Sequence, residues 1–244
     1  TSYTDVMTVR TTGRRTFFHQ RGANALLGPE HFEFAGVTAK IFHLGYLLLL
    51  DRLDALSADG QTGAAEVLRR ARAAGLRTSA DCVSDHSGRF RAVAAPALPH
   101  VDYFFANDFE AEKITGVMVR NEQRLDPHAV RAAARALLEA GVREWVFIHF
   151  EEGAFAASRE AEVWQPSLRV PAADIRGAAG AGDAFAAGVL FGVHEDWPVA
   201  ESLRLGVSAA AASLYDPRCS ASLRPIEECR RLAEQLGFNG ASFD

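Results

Sequence analysis

The chain has 244 residues, of which 48% are hydrophobic and 23% charged, proportions that exclude a disordered or collagen-like polypeptide and fit a globular one with a sizeable core. Lys and Arg number 26 against 31 Asp and Glu, a net charge of −5, so the bulk field that draws proteins to nucleic acid or anionic membranes is missing and neither is expected as a partner. At about 150 residues per domain, the length fits one large domain or two small ones.

Residues 4–10 and 15–20 read as two strands joined through a Thr-Thr-Gly-Arg turn. A regular alternation follows. Residues 40–44 form a short buried strand, 62–74 a helix ended by Gly75, 76–81 a strand, and 88–95 a helix ahead of Pro96. Next come a strand over 101–106, a helix over 108–115 closed by Gly116, a helix over 127–140 ended by Gly141, and a strand over 144–150. Strand–helix–strand repetition of this kind predicts a parallel sheet with helices on both faces. Beyond Phe150, residues 153–158 and 161–165 read as an antiparallel pair at the sheet edge, and 182–192, 199–214 and 225–236 as three successive helices. No repeat, low-complexity tract or linker-like shift interrupts the chain. The expectation is one α/β core over residues 25–244 with a small hairpin, residues 1–24, in front of it.

Cys82, Cys219 and Cys229 are too few and too scattered for a disulfide framework or a paired zinc site, and read as free thiols of a reducing cytosol. The longest apolar run, residues 41–50, contains His43 and stops at Asp51, well short of the roughly 20 residues that span a bilayer. The opening does not have the pattern of a signal peptide. A cytoplasmic location is expected.

The most informative stretch runs from Asp174 to Gly188, where a loop of Gly and Ala leads directly into an apolar helix. Glycines there allow positive φ and close approach of backbone N–H groups to a ligand. The helix start adds orphan donors and the positive end of its dipole, a ready anion site. Asp183 at that turn is a favourable N-terminal charge and a candidate general base beside a bound phosphate; it could equally serve as an N-cap. A Walker A loop is excluded because no Gly-Lys dipeptide occurs in the chain. A dinucleotide fingerprint would need glycine where Phe185 stands.

Gly180-Ala181-Gly182-Asp183 and the helix running on to Gly188 resemble the C-terminal signature of the ribokinase-like (PfkB) carbohydrate kinase family. The likeness extends along nearly the whole chain. Asn107-Asp108-Phe109-Glu110 matches the family's Asn-x-x-Glu element and also satisfies a helix capping box. Asp81 ends a strand where such kinases have Asp, and residues 14–24 resemble their substrate-covering lid. The resemblance implies a three-layer α/β/α fold with a mostly parallel central sheet and a small β lid. It implies an ATP-dependent phosphotransferase acting on a hydroxyl of a sugar or sugar-like acceptor. Asp183 would be the base, and the N–H groups of Ala181, Gly182 and Asp183, with Gly180 shaping the turn, would hold the developing charge. Mg2+ would be held through water near Asn107 and Glu110. His149 and Gly153 would lie toward the ATP phosphates, and residues 207–222 toward the adenine. Arg15, Asn24 and Asp183 would face the acceptor, and the lid would pair two copies into a homodimer. A nucleoside kinase or a catalytically weak nucleotide- or sugar-binding protein of the same fold are the alternatives.

The sequence departs from the family pattern in three places. The usual Asp-Thr pair ahead of the motif is Gly177-Ala178, which breaks the pattern of a monovalent-cation site unless Asp174 compensates. The Thr-x-Gly strand end reads His149-Phe150-Glu151, where His149 could replace the threonine and Glu151 would repel phosphate unless it faces solvent. The glycine-rich region that precedes the lid in such kinases has no counterpart in these residues, so the family's N-terminal part is expected to lie outside them. Arg14, Arg15 and Arg21 in the lid read as acceptor contacts or as an ordinary solvated edge. His43 with Gly45 could line the acceptor pocket or sit satisfied in the core. Asp81, Asp85 and His86 resemble a metal cluster only loosely.

Overall fold

In the computed structural model, which describes residues 1–9, 15–122, 124–219, 221 and 223–240, the chain opens with an antiparallel pair. Its strands are β1 (Tyr3–Thr8) and β2 (Arg15–Gln20), in register from Tyr3 opposite Gln20 to Thr8 opposite Arg15. The expected Thr-Thr-Gly-Arg turn and Arg14 lie outside the described residues. Every residue of β1 is exposed. Gly22, with φ +50°, turns the chain back; a Cβ there would lie 2.6 Å from the Thr1 carbonyl oxygen. The pair belongs to the first of two compact units, Thr1–Val146 and Phe147–Asp244.

The first unit is built on three parallel strands, β3 (Ile41–Leu47), β4 (Arg77–Cys82) and β5 (Tyr103–Asn107), with β4 in the middle. The central strand is small-residue and dry: Thr78, Ser79 and Ala80 are fully buried. The short helix α1 (Asp51–Asp54) follows β3, and α2 (Gly63–Ala73) returns to β4. Thr62 accepts the Ala65 amide at 3.2 Å and starts α2, which turns Ala64, Val67, Leu68 and Ala71 inward, the spacing of one helical face. Each fully buried Leu or Phe of this core contributes roughly 1.5–3 kcal/mol. Helices α3 (Phe90–Ala94) and α4 (Asp108–Thr115) flank β5, and α4 stops at Gly116, φ +79°. A two-residue pair, β6 (Arg120–Asn121) and β7 (Arg124–Leu125), leads to α5 (Pro127–Glu139), capped by Asp126 through the His128 and Ala129 amides. Buried Asp102 joins these layers, accepting the Thr78 amide at 2.8 Å and Arg143 Nε at 2.9 Å.

Among the boundaries that differ from the sequence expectation, two have identifiable reasons. β3 runs three residues past Leu44 because a register shift lets it resume pairing at Leu47, opposite Cys82. α3 starts at Phe90 rather than residue 88 because Gly88 has φ +72°, which a right-handed helix does not admit. α1 and the β6–β7 pair had no sequence signal.

The strand β8 (Trp145–Phe150) begins in the first unit and continues into the second. There β9 (Gly153–Ala157) and β10 (Glu162–Pro166) form the expected antiparallel pair, and α6 (Ala181–His194), α7 (Val199–Ser213) and α8 (Ile226–Leu236) follow. α6 and α7 approach through glycine. A Cβ on Gly188 would sit 2.9 Å from Gly206 Cα, and one on Gly206 would sit 2.7 Å from Val189 Cγ2. The three cysteines are free, Cys82 and Cys229 buried and Cys219 exposed. Among the described residues no helix is long and apolar enough to cross a membrane.

Candidate active site

In the second unit the loop before α6 is held from behind. The amides of Arg176 and Gly177 donate to the Leu214 carbonyl at 2.8 and 3.4 Å. A Cβ on Gly177 would lie 2.9 Å from Pro217 Cα, and one on Gly180 would lie 2.9 Å from the Cys219 carbonyl oxygen. Gly180, at φ +80°, is the N-cap of α6 and offers no side chain to the first turn. That leaves the cap position open to an outside acceptor. Asp183 is the third residue of α6, in its first turn and exposed.

His149, near the end of β8, belongs to the same cluster. A Cβ on Gly182 would lie 3.1 Å from its Cε1 and 3.3 Å from Nε2, and its ring packs on Phe185 at 5.2 Å between centroids. The imidazole therefore lies against the start of α6. Glu151 is exposed in the turn after β8, so it faces solvent. Gly153 is explained by strand packing: a Cβ there would collide with the Gln165 carbonyl oxygen across the β9–β10 pair. Of the residues 207–222, Leu214, Pro217 and Cys219 pack on the glycine loop, and Ser222 lies outside the described residues.

The first unit holds the remaining expected residues. Asn107 and Glu110 form the capping box of α4: Asn107 Oδ1 accepts the Glu110 amide at 2.8 Å, and Glu110 Oε2 accepts the Asn107 amide at 2.9 Å. Ser84, which sequence reading passed over, donates to Glu110 Oε1 at 2.8 Å and accepts from Asn107 Nδ2 at 2.9 Å. No spacing rule points to it, because it comes from the loop after β4. Glu110 is 4% exposed, and its burial pushes the carboxyl up to about 7 despite the Asn107 and Ser84 hydrogen bonds. Burial likewise pushes the Cys82 thiol well up, with Glu110 and Asp81 adding to it.

Between the paired strands β3 and β4, His43 Nδ1 is 2.9 Å from Ser79 Oγ, and its Nε2 is 3.7 Å from Asp81 Oδ1. Gly45 closes that cluster, since a Cβ there would lie 2.7 Å from Asp81 Oδ1. Asp85 and His86 do not join it: Asp85 caps the Ser87 turn and His86 packs on Phe109. Asn24 accepts from Ser2 Oγ at 3.3 Å, and Arg21 pairs with Asp51. The backbone of Arg15 pairs with Thr8; its side chain lies outside the described residues.

A metal would find no direct cage. Among the described residues no group of three or more His, Cys, Asp or Glu is placed to hold an ion. Asn107 Oδ1 and both Glu110 oxygens already accept hydrogen bonds. Such a donor set suits Mg2+, which keeps much of its water shell and is carried by substrate phosphates.

The pfkB family carbohydrate kinase model matches residues 2–226. The chain is 27% identical over 208 residues to the deoxyribokinase of Salmonella typhi, which covers 85% of this chain and 61% of that protein. It thus spans less than two thirds of that relative's length. The adenosine kinase of Sinorhizobium meliloti shares the fold at TM-score 0.72 and 26% identity, over 96% of this chain and 66% of that one. An E. coli protein classed as a Ribokinase II, solved with ATP and Mg2+, gives 0.72 at 15% identity, over 95% and 71%. The fold is therefore ribokinase-like α/β, with a mostly parallel central sheet and a small β lid. A match running over residues 2–226 takes in most of the 244, and on it the chain belongs to the pfkB family of carbohydrate kinases.

Proposed function

We propose that this chain carries the phosphoryl-transfer machinery of an ATP-dependent sugar or nucleoside kinase, with Asp183 as general base. The observation that carries this reading is the first turn of α6, where a left-handed Gly180 cap opens the helix start and Asp183 stands exposed beside it. In the reaction the acceptor oxygen forms a bond to the γ-phosphorus of ATP while the bond from that phosphorus to the β,γ-bridging oxygen breaks. The hydroxyl proton passes to the Asp183 carboxylate, and ADP leaves. The amides of Gly182 and Asp183, aligned with the positive end of the helix dipole, meet the charge that develops on the transferred group; the Ala181 amide, expected beside them, already donates to the Ala178 carbonyl at 3.3 Å. His149, packed against Gly182, is a donor at the rim of that site. When bound, Mg2+ neutralises phosphate charge, and Asn107 and Glu110 would hold it through its waters.

The names of the relatives, deoxyribokinase and adenosine kinase, bracket the acceptor as a sugar or a nucleoside. ADP release from ATP and Mg2+ is expected to rise on adding one class of these acceptors. Retained ATP binding with no acceptor-dependent release would instead favour a nucleotide-binding protein of the same fold.

The reading extends to self-association. Directly opposed residues of an antiparallel pair share a face, so Tyr3, Met7 and Phe18, 57%, 62% and 59% exposed, stand on one side of the lid together with Asp5, Thr16 and Gln20. Light scattering at micromolar concentration is expected to give a dimer that Met7→Lys shifts to monomer. A wild-type monomer counts against the pairing.

A further inference from the structure

A capping box needs only its two members, here Asn107 and Glu110, each accepting the other's backbone amide. It leaves two polar atoms over, the Asn107 carboxamide nitrogen and the second Glu110 oxygen. Ser84 meets both. Its hydroxyl lies 2.9 Å from Asn107 Nδ2 and 2.8 Å from Glu110 Oε1, although 26 positions separate it from Glu110.

The polarity of the network follows from its donors. The Glu110 amide can only donate, so the Asn107 atom facing it is Oδ1. The carboxamide NH2 must then face Ser84, whose oxygen accepts. The single hydroxyl proton of Ser84 is thereby committed to Glu110 Oε1. Four hydrogen bonds fix one rotamer of each side chain, where the box alone would leave the carboxamide free to turn about its own oxygen.

We infer that Ser84 is a positioning residue for the nucleotide-bound metal: by locking Asn107 and Glu110 it sets the polar surface that receives the water shell of Mg2+ carried by ATP. This rests on the kinase reading, in which that pair serves the metal. Ser84 acts through the pair and touches neither substrate nor metal. Removing such a supporting partner weakens metal affinity by about 10- to 100-fold in sites of known chemistry. A serine that merely finished a helix start would affect folding alone.

The test is calorimetric titration of ATP into the wild-type chain and its Ser84 variants at a series of Mg2+ concentrations and in EDTA, with thermal unfolding alongside. Ser84→Ala is expected to bind ATP normally in EDTA, but to need about tenfold more Mg2+ to reach the wild-type affinity. Ser84→Thr, which keeps the hydroxyl, restores the wild-type dependence, and Ser84→Cys, a weaker donor of similar size, falls between. Ser84→Ala with a lowered unfolding midpoint and the wild-type Mg2+ dependence overturns the inference and leaves the kinase reading intact. A wild-type chain whose ATP affinity ignores Mg2+ overturns both.

Discussion

Asp183→Asn is expected to lower acceptor-dependent ADP formation by about 100- to 10,000-fold, the contribution of a positioned general base, while ATP binds as well as before or more tightly. The substitution is nearly isosteric, so the first turn of α6 and the Gly180 cap that shapes it should survive. What disappears is a site for the acceptor's proton. The loss of a carboxylate from a helix N-terminus costs about 0.3–1 kcal/mol of helix stability, too little to account for a kinetic effect of that size. Removing a negative charge beside the phosphates relieves repulsion, and this gives the expected direction for ATP. The discriminating comparison is therefore kcat against the KM for ATP, measured together. A variant that keeps wild-type kcat would show that the proton leaves by another route, and Asp183 would revert to an ordinary acidic residue at a helix start. A variant that loses ATP binding along with turnover would show that the substitution had disturbed the anion site itself.

The sequence motif around Asp183 carries more than one kind of information, and only part of it was legible. Glycine at positions 180, 182, 177 and 188 reads from sequence as a single phosphate-loop feature, yet each position answers a different constraint. Gly180 needs a positive φ and lies on Cys219; Gly182 makes room for His149; Gly177 lies on Pro217; Gly188 lets α6 approach Gly206 of α7. The last three are set by partners distant in sequence, so no local pattern could separate them. By contrast α4 was legible to its ends, because its signals are local: Asn107 and Glu110 at capping spacing and Gly116 beyond the last turn. α2 and α5 were legible from the glycines that end them, Gly75 and Gly141, while the caps at their starts, Thr62 and Asp126, emerge from the structure. Ser84 was not, since its role exists only after the loop following β4 meets the start of α4. The division after Val146 falls inside β8 and has no linker composition to announce it.

Glu110 should leave a signature in the pH dependence of stability. Its carboxyl is held at about 7 in the folded chain against an ordinary 4.5, with burial as the leading cause. Below pH 4.5 both folded and unfolded chains carry the proton, and the residue imposes no penalty. Between 4.5 and about 7 the unfolded chain gives the proton up while the folded chain retains it. The folded state then binds more protons, so stability falls as pH rises through this window and levels off above it. The total is roughly 3 kcal/mol. Glu110→Gln removes the titration and keeps the cap, since glutamine is the other residue that closes a capping box. Ser84 can also reverse its hydrogen bond to accept from the new amide. Denaturant unfolding of the two proteins without Mg2+, from pH 4.5 to 8, should therefore show the variant gaining on the wild type by about 3 kcal/mol as pH rises. A constant difference across that range would mean that Glu110 stays ionised throughout. Its hydrogen bonds from Ser84 and from the Asn107 backbone would then outweigh its burial, and the α4 cap would be anchored by a true carboxylate.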